Sequence, residues 1–172
     1  MSQLDWLMFN EDHKKIWNYI RQSCSQNLWI VTANIKNMFL EEKGEFSSFI
    51  CLLDDLVAKG VDVKIVYSSK LGERVASEIE NAKHLDMDKN FFCCIRSHWK
   101  LIVIDEKVIY LGSANLTGAG MGFKSEEKRN FEAGIFVDNE ELAMIAMKKI
   151  QALYNENYCH QCSFKNDYCK KQ

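Results

Sequence analysis

At 172 residues the chain fits one compact domain and leaves little room for two. Apolar residues make up 47% of it, enough for a core, which excludes a disordered protein. Lys and Arg number 22 against 24 Asp and Glu, a balance that excludes a strongly basic nucleic-acid coat but not a local basic patch.

Residues 1–15 hold no apolar run of signal-peptide length, and no later segment approaches a membrane span of about 18 apolar residues, so the expectation is a soluble cytoplasmic protein. Residues 11–26 carry Ile16, Tyr19, Ile20 and Cys24 at helical spacing, and residues 28–33 read as a buried strand. The clearest helix spans 45–60, with Phe46, Phe49, Ile50, Leu53, Leu56 and Val57 on one stripe and Gly60 as its stop. A strand over 61–69, a helix over 71–83 and a strand over 91–97 follow. Residues 98–104 and 107–113 read as two strands joined by a turn at Asp105 and Glu106. The Gly-rich, then charged stretch 117–130 reads as a loop, and 130–138 as a strand. The last helix runs from Glu140 to about Tyr158, with Leu142, Ile145, Ala146, Ile150 and Leu153 facing inward. The pattern is α/β, with part of the sheet antiparallel at the hairpin.

The strand from His98 poses a chemical question, because an apolar strand needs neither His nor Lys. Side chains alternate along a strand, so His98 and Lys100 share a face. A hairpin brings them near residues 111–115, where Gly112, Ser113 and Asn115 follow. An imidazole, an ammonium, a hydroxyl and an amide then converge. Lys and Asn can donate to phosphate oxygens, and a His among them can attack phosphorus. The pair alone reads more readily as a core His beside an edge-strand Lys; the residues around it change the balance.

The spacing His98-x-Lys100-(x)4-Asp105-(x)6-Gly112-Ser113-x-Asn115 resembles the signature of the phospholipase D superfamily at every position, and the resemblance extends over roughly residues 28–155. It implies an α/β fold with a mixed β-sheet flanked by helices on both faces. Asn130-x-Glu132 is similar to the family's downstream strand and makes Glu132 a partner that orients the catalytic His. The resemblance implies catalytic roles for His98, Lys100, Asp105, Ser113, Asn115 and Glu132, with Asp105 setting local hydrogen bonds rather than touching substrate. No cofactor is implied for catalysis. Many members carry the motif twice; here it occurs once, so the implied site is shared across a homodimer, one His98 attacking and the other protonating the leaving oxygen.

Within that family the expected activity is a nuclease acting on DNA or RNA. The alternatives are a phospholipid phosphodiesterase, which predicts an apolar rim on the cleft, and a catalytically silent nucleic-acid-binding module. Arg96, Lys124, Lys128 and Arg129 lie near the motif in sequence as phosphate contacts, although Glu126 and Glu127 offset the loop's charge. So small a domain also leaves room for a partner protein that supplies specificity. The domain is expected to span 1–158 and a Cys-rich tail 159–172. Cys159, Cys162 and Cys169 form three parts of a metal knuckle, zinc or an iron–sulfur cluster, whose fourth ligand is open among His160, Cys24, Cys93, Cys94 or the other subunit.

Overall fold

The computed structural model describes residues 5–42, 44–164 and 169. A seven-stranded mixed sheet forms the centre. Its strands are β1 (Asp5–Phe9), β2 (Asn27–Thr32), β5 (Asp62–Tyr67), β6 (Phe91–Cys93), β7 (Leu101–Ile104), β8 (Val108–Gly112) and β9 (Ala133–Asp138). Their order across the sheet is β1-β9-β8-β7-β2-β5-β6. Strands β2, β5 and β6 run parallel, while β7, β8, β9 and β1 pair antiparallel. A separate hairpin, β3 (Phe39–Glu42) with β4 (Glu45–Ser48), precedes the helix that crosses from β2 to β5.

Helices cover both faces, as the sequence leads one to expect. On one face α1 (Lys14–Ser23), α2 (Phe49–Ala58) and α3 (Glu73–Glu80) press Ile16, Trp17, Ile20, Phe49, Leu53, Val75 and Ile79 onto Leu28, Ile30, Ile65, Ile102 and Tyr110. A single turn, α4 (Met87–Asn90), leads into β6. On the other face α5 (Glu140–Tyr154) lays Ala143, Ala146, Ile150 and Tyr154 over Trp29, Val31, Val66, Val103 and Ile109. The two sets of core residues alternate along β2 and β7, as the pleat requires.

Several elements differ from their sequence reading. Residues 45–48, read as helix, form β4; Phe46 is then exposed, and α2 begins only where Ser48 Oγ accepts from Ile50 N–H at 3.2 Å. The strand expected over 91–97 stops at Cys93, where the chain turns through a Ser97 N–H to Cys94 carbonyl bond of 2.9 Å. The inward stripe of α5 is Ala143, Ala146, Ile150 and Tyr154, whereas Leu142 and Ile145 are exposed; the small alanines let the helix approach the sheet. Strand β1 was not legible at all. The helix expected to about Tyr158 ends at Tyr154, and a 3-10 turn at Cys159–Gln161 follows.

Candidate active site at one end of the sheet

The registers align Val31, Leu101, Leu111, Ile135 and Leu7 in one row across five strands. Just beyond that row lie the end of β2, the approach to β7, the end of β8 and the approach to β9. Those four chain segments carry Thr32, His98, Lys100, Ser113, Asn115 and Glu132. The turn at Cys94–Ser97 sets His98 through Lys100 ahead of β7, not within it as the sequence suggested. The two side chains meet nevertheless. Lys100 Nζ stands 3.1 Å from His98 Nδ1 and 3.3 Å from Nε2, and donates to the His98 carbonyl at 2.9 Å. An ammonium only donates, so it serves whichever ring nitrogen carries the lone pair. His98 is exposed while Lys100 is buried. Burial lowers the Lys100 ammonium from its usual value, and the Glu132 carboxylate nearby pulls it back up.

Asn115 is oriented through its carbonyl. Its Oδ1 accepts from Ala33 N–H and Asn34 N–H, both at 3.1 Å. Thr32, buried at the end of β2, braces the same turn: its Oγ1 accepts from Leu116 N–H at 3.0 Å and donates to the Asn34 carbonyl at 3.0 Å. With the carbonyl fixed, the amide N–H2 is the half of Asn115 left to donate to a ligand. Beside it runs a polar groove of about 500 Å³ lined by Lys36, Asn115, Thr117, Lys124, Lys128 and Asn130 among others.

Glu132 does not hold His98 as expected. Its Oε2 takes the Ser113 hydroxyl and its Oε1 accepts from Asn130 Nδ2 at 2.9 Å. Ser113 Oγ in turn accepts from Ala133 N–H at 3.0 Å. The carboxylate is buried, so it acts on the site by orienting Ser113 and by its charge on Lys100. Tyr110 closes the cluster from below. Its ring occupies the space that side chains at Gly112 and Gly134 would fill, and its hydroxyl accepts from Ala114 N–H at 3.3 Å.

Asp105 belongs elsewhere. It sits at the far end of β7, where it accepts from the backbone N–H groups of Ser25, Gln26 and Asn27 at 2.8–3.2 Å. At about 3.3 Å per strand residue this is roughly 20 Å from His98. The five other signature residues converge; Asp105 stitches the opposite end of the sheet to the turn before β2. Of the four basic residues noted near the motif, Lys124 and Lys128 line the groove, joined by Lys36, which the sequence did not single out. Arg129 pairs with Glu11 at 2.9 Å, and Arg96 lies over the Phe164 ring at 5.9 Å. Thr32 and Tyr110 were also missed, since each reads in sequence as an ordinary strand residue. Among the described residues, no three His, Cys, Asp or Glu side chains stand ready as a metal site.

A second cleft, of about 420 Å³, opens beside the segment that carries His98. Phe92, Trp99, Leu153 and Tyr158 make its apolar part, with Arg96 and Lys149 at its margin. Trp99 and Tyr158 are exposed.

Comparison with known proteins agrees with this arrangement. A family model described as the PLD-like domain of cardiolipin synthase matches residues 17–154. Among solved structures, the chain resembles Nuc, a phospholipase D family member from Salmonella typhimurium, at 15% identity and a TM-score of 0.65, covering 90% of this chain and 95% of that one. It is similar to NucT from Helicobacter pylori at 14% identity and a TM-score of 0.64, covering 90% and 97%. It also resembles phosphatidylserine synthase from Haemophilus influenzae at 13% identity and a TM-score of 0.63, covering 86% of this chain and 36% of that one. No curated protein matches the sequence. With the family model spanning most of the chain and the His98, Lys100, Asn115 and Glu132 cluster at its centre, the chain belongs to the phospholipase D superfamily, the phosphodiesterase-type hydrolases.

Proposed function

We propose that this protein is a nuclease that hydrolyses DNA or RNA through a phosphohistidine, at a site completed by a second copy of the chain. The observation that carries the substrate class is the groove at Asn115. Lys36, Lys124 and Lys128 are among the residues that line it, three cations able to meet the phosphates of a nucleic-acid strand. His98 of one subunit attacks phosphorus and the leaving oxygen departs with a proton from His98 of the other. That second His98 then takes a proton from water, whose oxygen displaces the first imidazole and frees the enzyme. Lys100 and Asn115 from both subunits supply the positive field on the transferred phosphoryl group, which is where most of the barrier is lowered. Ser113, held by Glu132, keeps the strand ends in place.

Support for the dimer comes from the apolar row at the site end of the sheet. Leu7, Leu111 and Ile135 are cross-strand partners, and all three are exposed, as are Phe9 and Phe131 nearby. A contiguous apolar surface on strands adjoining a half-site suits a partner copy.

The apolar cleft around Trp99, next in sequence to His98, favours a second reading, a phospholipid phosphodiesterase, with Leu153, Trp99 and Tyr158 offering apolar surface to an acyl chain. One panel separates the two. Labelled single-stranded DNA, duplex DNA, RNA and phospholipid vesicles are incubated in excess EDTA with wild type and His98→Ala. EDTA-resistant cleavage of an oligonucleotide, reduced at least ~10³-fold in the variant, is the expected result. Hydrolysis of vesicles alone would select the lipid reading. Binding without turnover, equal in both proteins, would mean a silent binding module.

A further inference from the structure

We propose that Cys94, Cys159, Cys162 and Cys169 bind one structural zinc ion that ties the end of the chain to the segment leading to His98. Five of the seven cysteines, Cys93, Cys94, Cys159, Cys162 and Cys169, line a single small cavity of about 20 Å³. They come from two segments far apart in sequence, so the gathering is made by the fold and not by local spacing. A cavity of that size takes one atom-sized occupant, and thiolates are the donors that zinc prefers.

The fold also decides which thiol joins the tail. Cys24 is spoken for at the opposite end of the sheet, near Asp105, and Cys51 is exposed on α2. His160 is exposed and lines neither cavity. Cys93 is buried within β6 and, like Cys169, lines the small cavity and not the larger cleft. Cys94 lines both that cavity and the larger cleft beside it, each time together with Cys159 and Cys162. Cys94 and Cys159 also pack against the same core beneath α5. Cys94 is fixed from behind by its N–H bond of 2.7 Å to the Tyr67 carbonyl.

The sulfurs line the walls without surrounding a common point, so the proposed site needs the thiols to turn inward as the ion binds. On binding, four S–H bonds give way to four Zn–S bonds, four protons pass to the buffer and no electron is transferred. The resulting site carries two net negative charges. Arg96, which lines the same cavity, is its counter-ion, and this gives Arg96 a role other than the phosphate contact suggested by its position in sequence. The inference does not depend on the substrate of the catalytic site.

The test is metal analysis of the full chain, purified without chelator from zinc-supplemented medium. About one equivalent of zinc per chain is expected, retained in Cys93→Ser and Cys51→Ser and lost in Cys94→Ser and Cys162→Ser. Should the last two variants fail to fold, cobalt(II) added to metal-free wild type reads the same site: intense d–d bands of a tetrahedral thiolate complex and release of about four protons per ion. Wild type holding under about a tenth of an equivalent of any transition metal, with a colourless cobalt titration, would overturn the site. Zinc kept in Cys94→Ser and lost in Cys93→Ser would overturn the ligand assignment. Disulfides among the tail cysteines in freshly purified protein would also sink it.

Discussion

Asp105 illustrates how a signature residue can stabilise rather than react. Burial pushes its carboxyl up, but the backbone N–H groups of Gln26, Asn27 and Ser25 outweigh that and hold it below the ordinary carboxylate value. A depressed carboxyl stabilises the fold above its unfolded value, here 3.8, and that contribution disappears as pH falls through the folded value. Asp105→Asn therefore loses about 1–3 kcal/mol near neutral pH, and the gap between the two proteins narrows in denaturant melts below about pH 4. An Asp105→Asn protein that bound and cleaved substrate normally at low temperature would confirm that the carboxylate acts on the fold alone. Lys100 is the opposite case. It is a buried cation whose ammonium is lowered by desolvation and partly restored by Glu132, so the charge it offers a phosphate is poorly screened and correspondingly effective.

At the scale of elements, the site depends on how closely β8 and β9 approach. Gly112 and Gly134 are cross-strand partners, and the Tyr110 ring lies over both. A Cβ at Gly134 would stand 2.5 Å from Tyr110 Cε2 and 3.0 Å from the Leu111 carbonyl. Gly134→Ala should cost roughly 1–3 kcal/mol by overpacking, read as a lowered Tm. Adding Tyr110→Leu should recover part of that loss, because the clash is mainly with the ring; no recovery would place the strain in the backbone instead. The same ring supports Ala114 and hence the turn that presents Asn115. Strand spacing and catalytic geometry are thus coupled through one tyrosine.

For the whole molecule the decisive question is whether one copy suffices. The exposed row Leu7, Ile135 and Leu111 borders the His98 cluster, and the outward Leu142 and Ile145 of α5 are exposed as well. Burying such a surface contributes about 25 cal/mol per Å² of apolar area. Leu111→Asp with Ile135→Asp should shift sedimentation from dimer to monomer and abolish cleavage while the circular dichroism stays native. A monomeric variant with full activity would show that a single chain carries the complete site. No helix among the described residues is long and apolar enough to cross a membrane.

The sequence by itself determined which polar groups gather at one end of the sheet. His98, Lys100, Gly112, Ser113 and Asn115 are set by short-range spacing, because two strands and a tight turn leave little freedom in where their ends meet. The resemblance also implied helices on both faces, and α1, α2 and α3 lie on one and α5 on the other. What it could not determine were the choices made by distant segments. Phe46 fits a helical stripe as well as a hairpin, and pairing with β3 decided for the hairpin. Leu142 and Ile145 fit an inward stripe as well as Ala143 and Ala146 do, and the need for close approach to the sheet chose the alanines. Glu132 was legible as an acid near the site, yet its partner, Ser113 rather than His98, follows from the pairing of β8 with β9. The cysteines divide in the same way. The tail spacing shows three thiols; only the packing of β6 and the segment after it against the end of the chain brings Cys94 to them. Local spacing fixes which groups exist, and long-range packing fixes which of them meet.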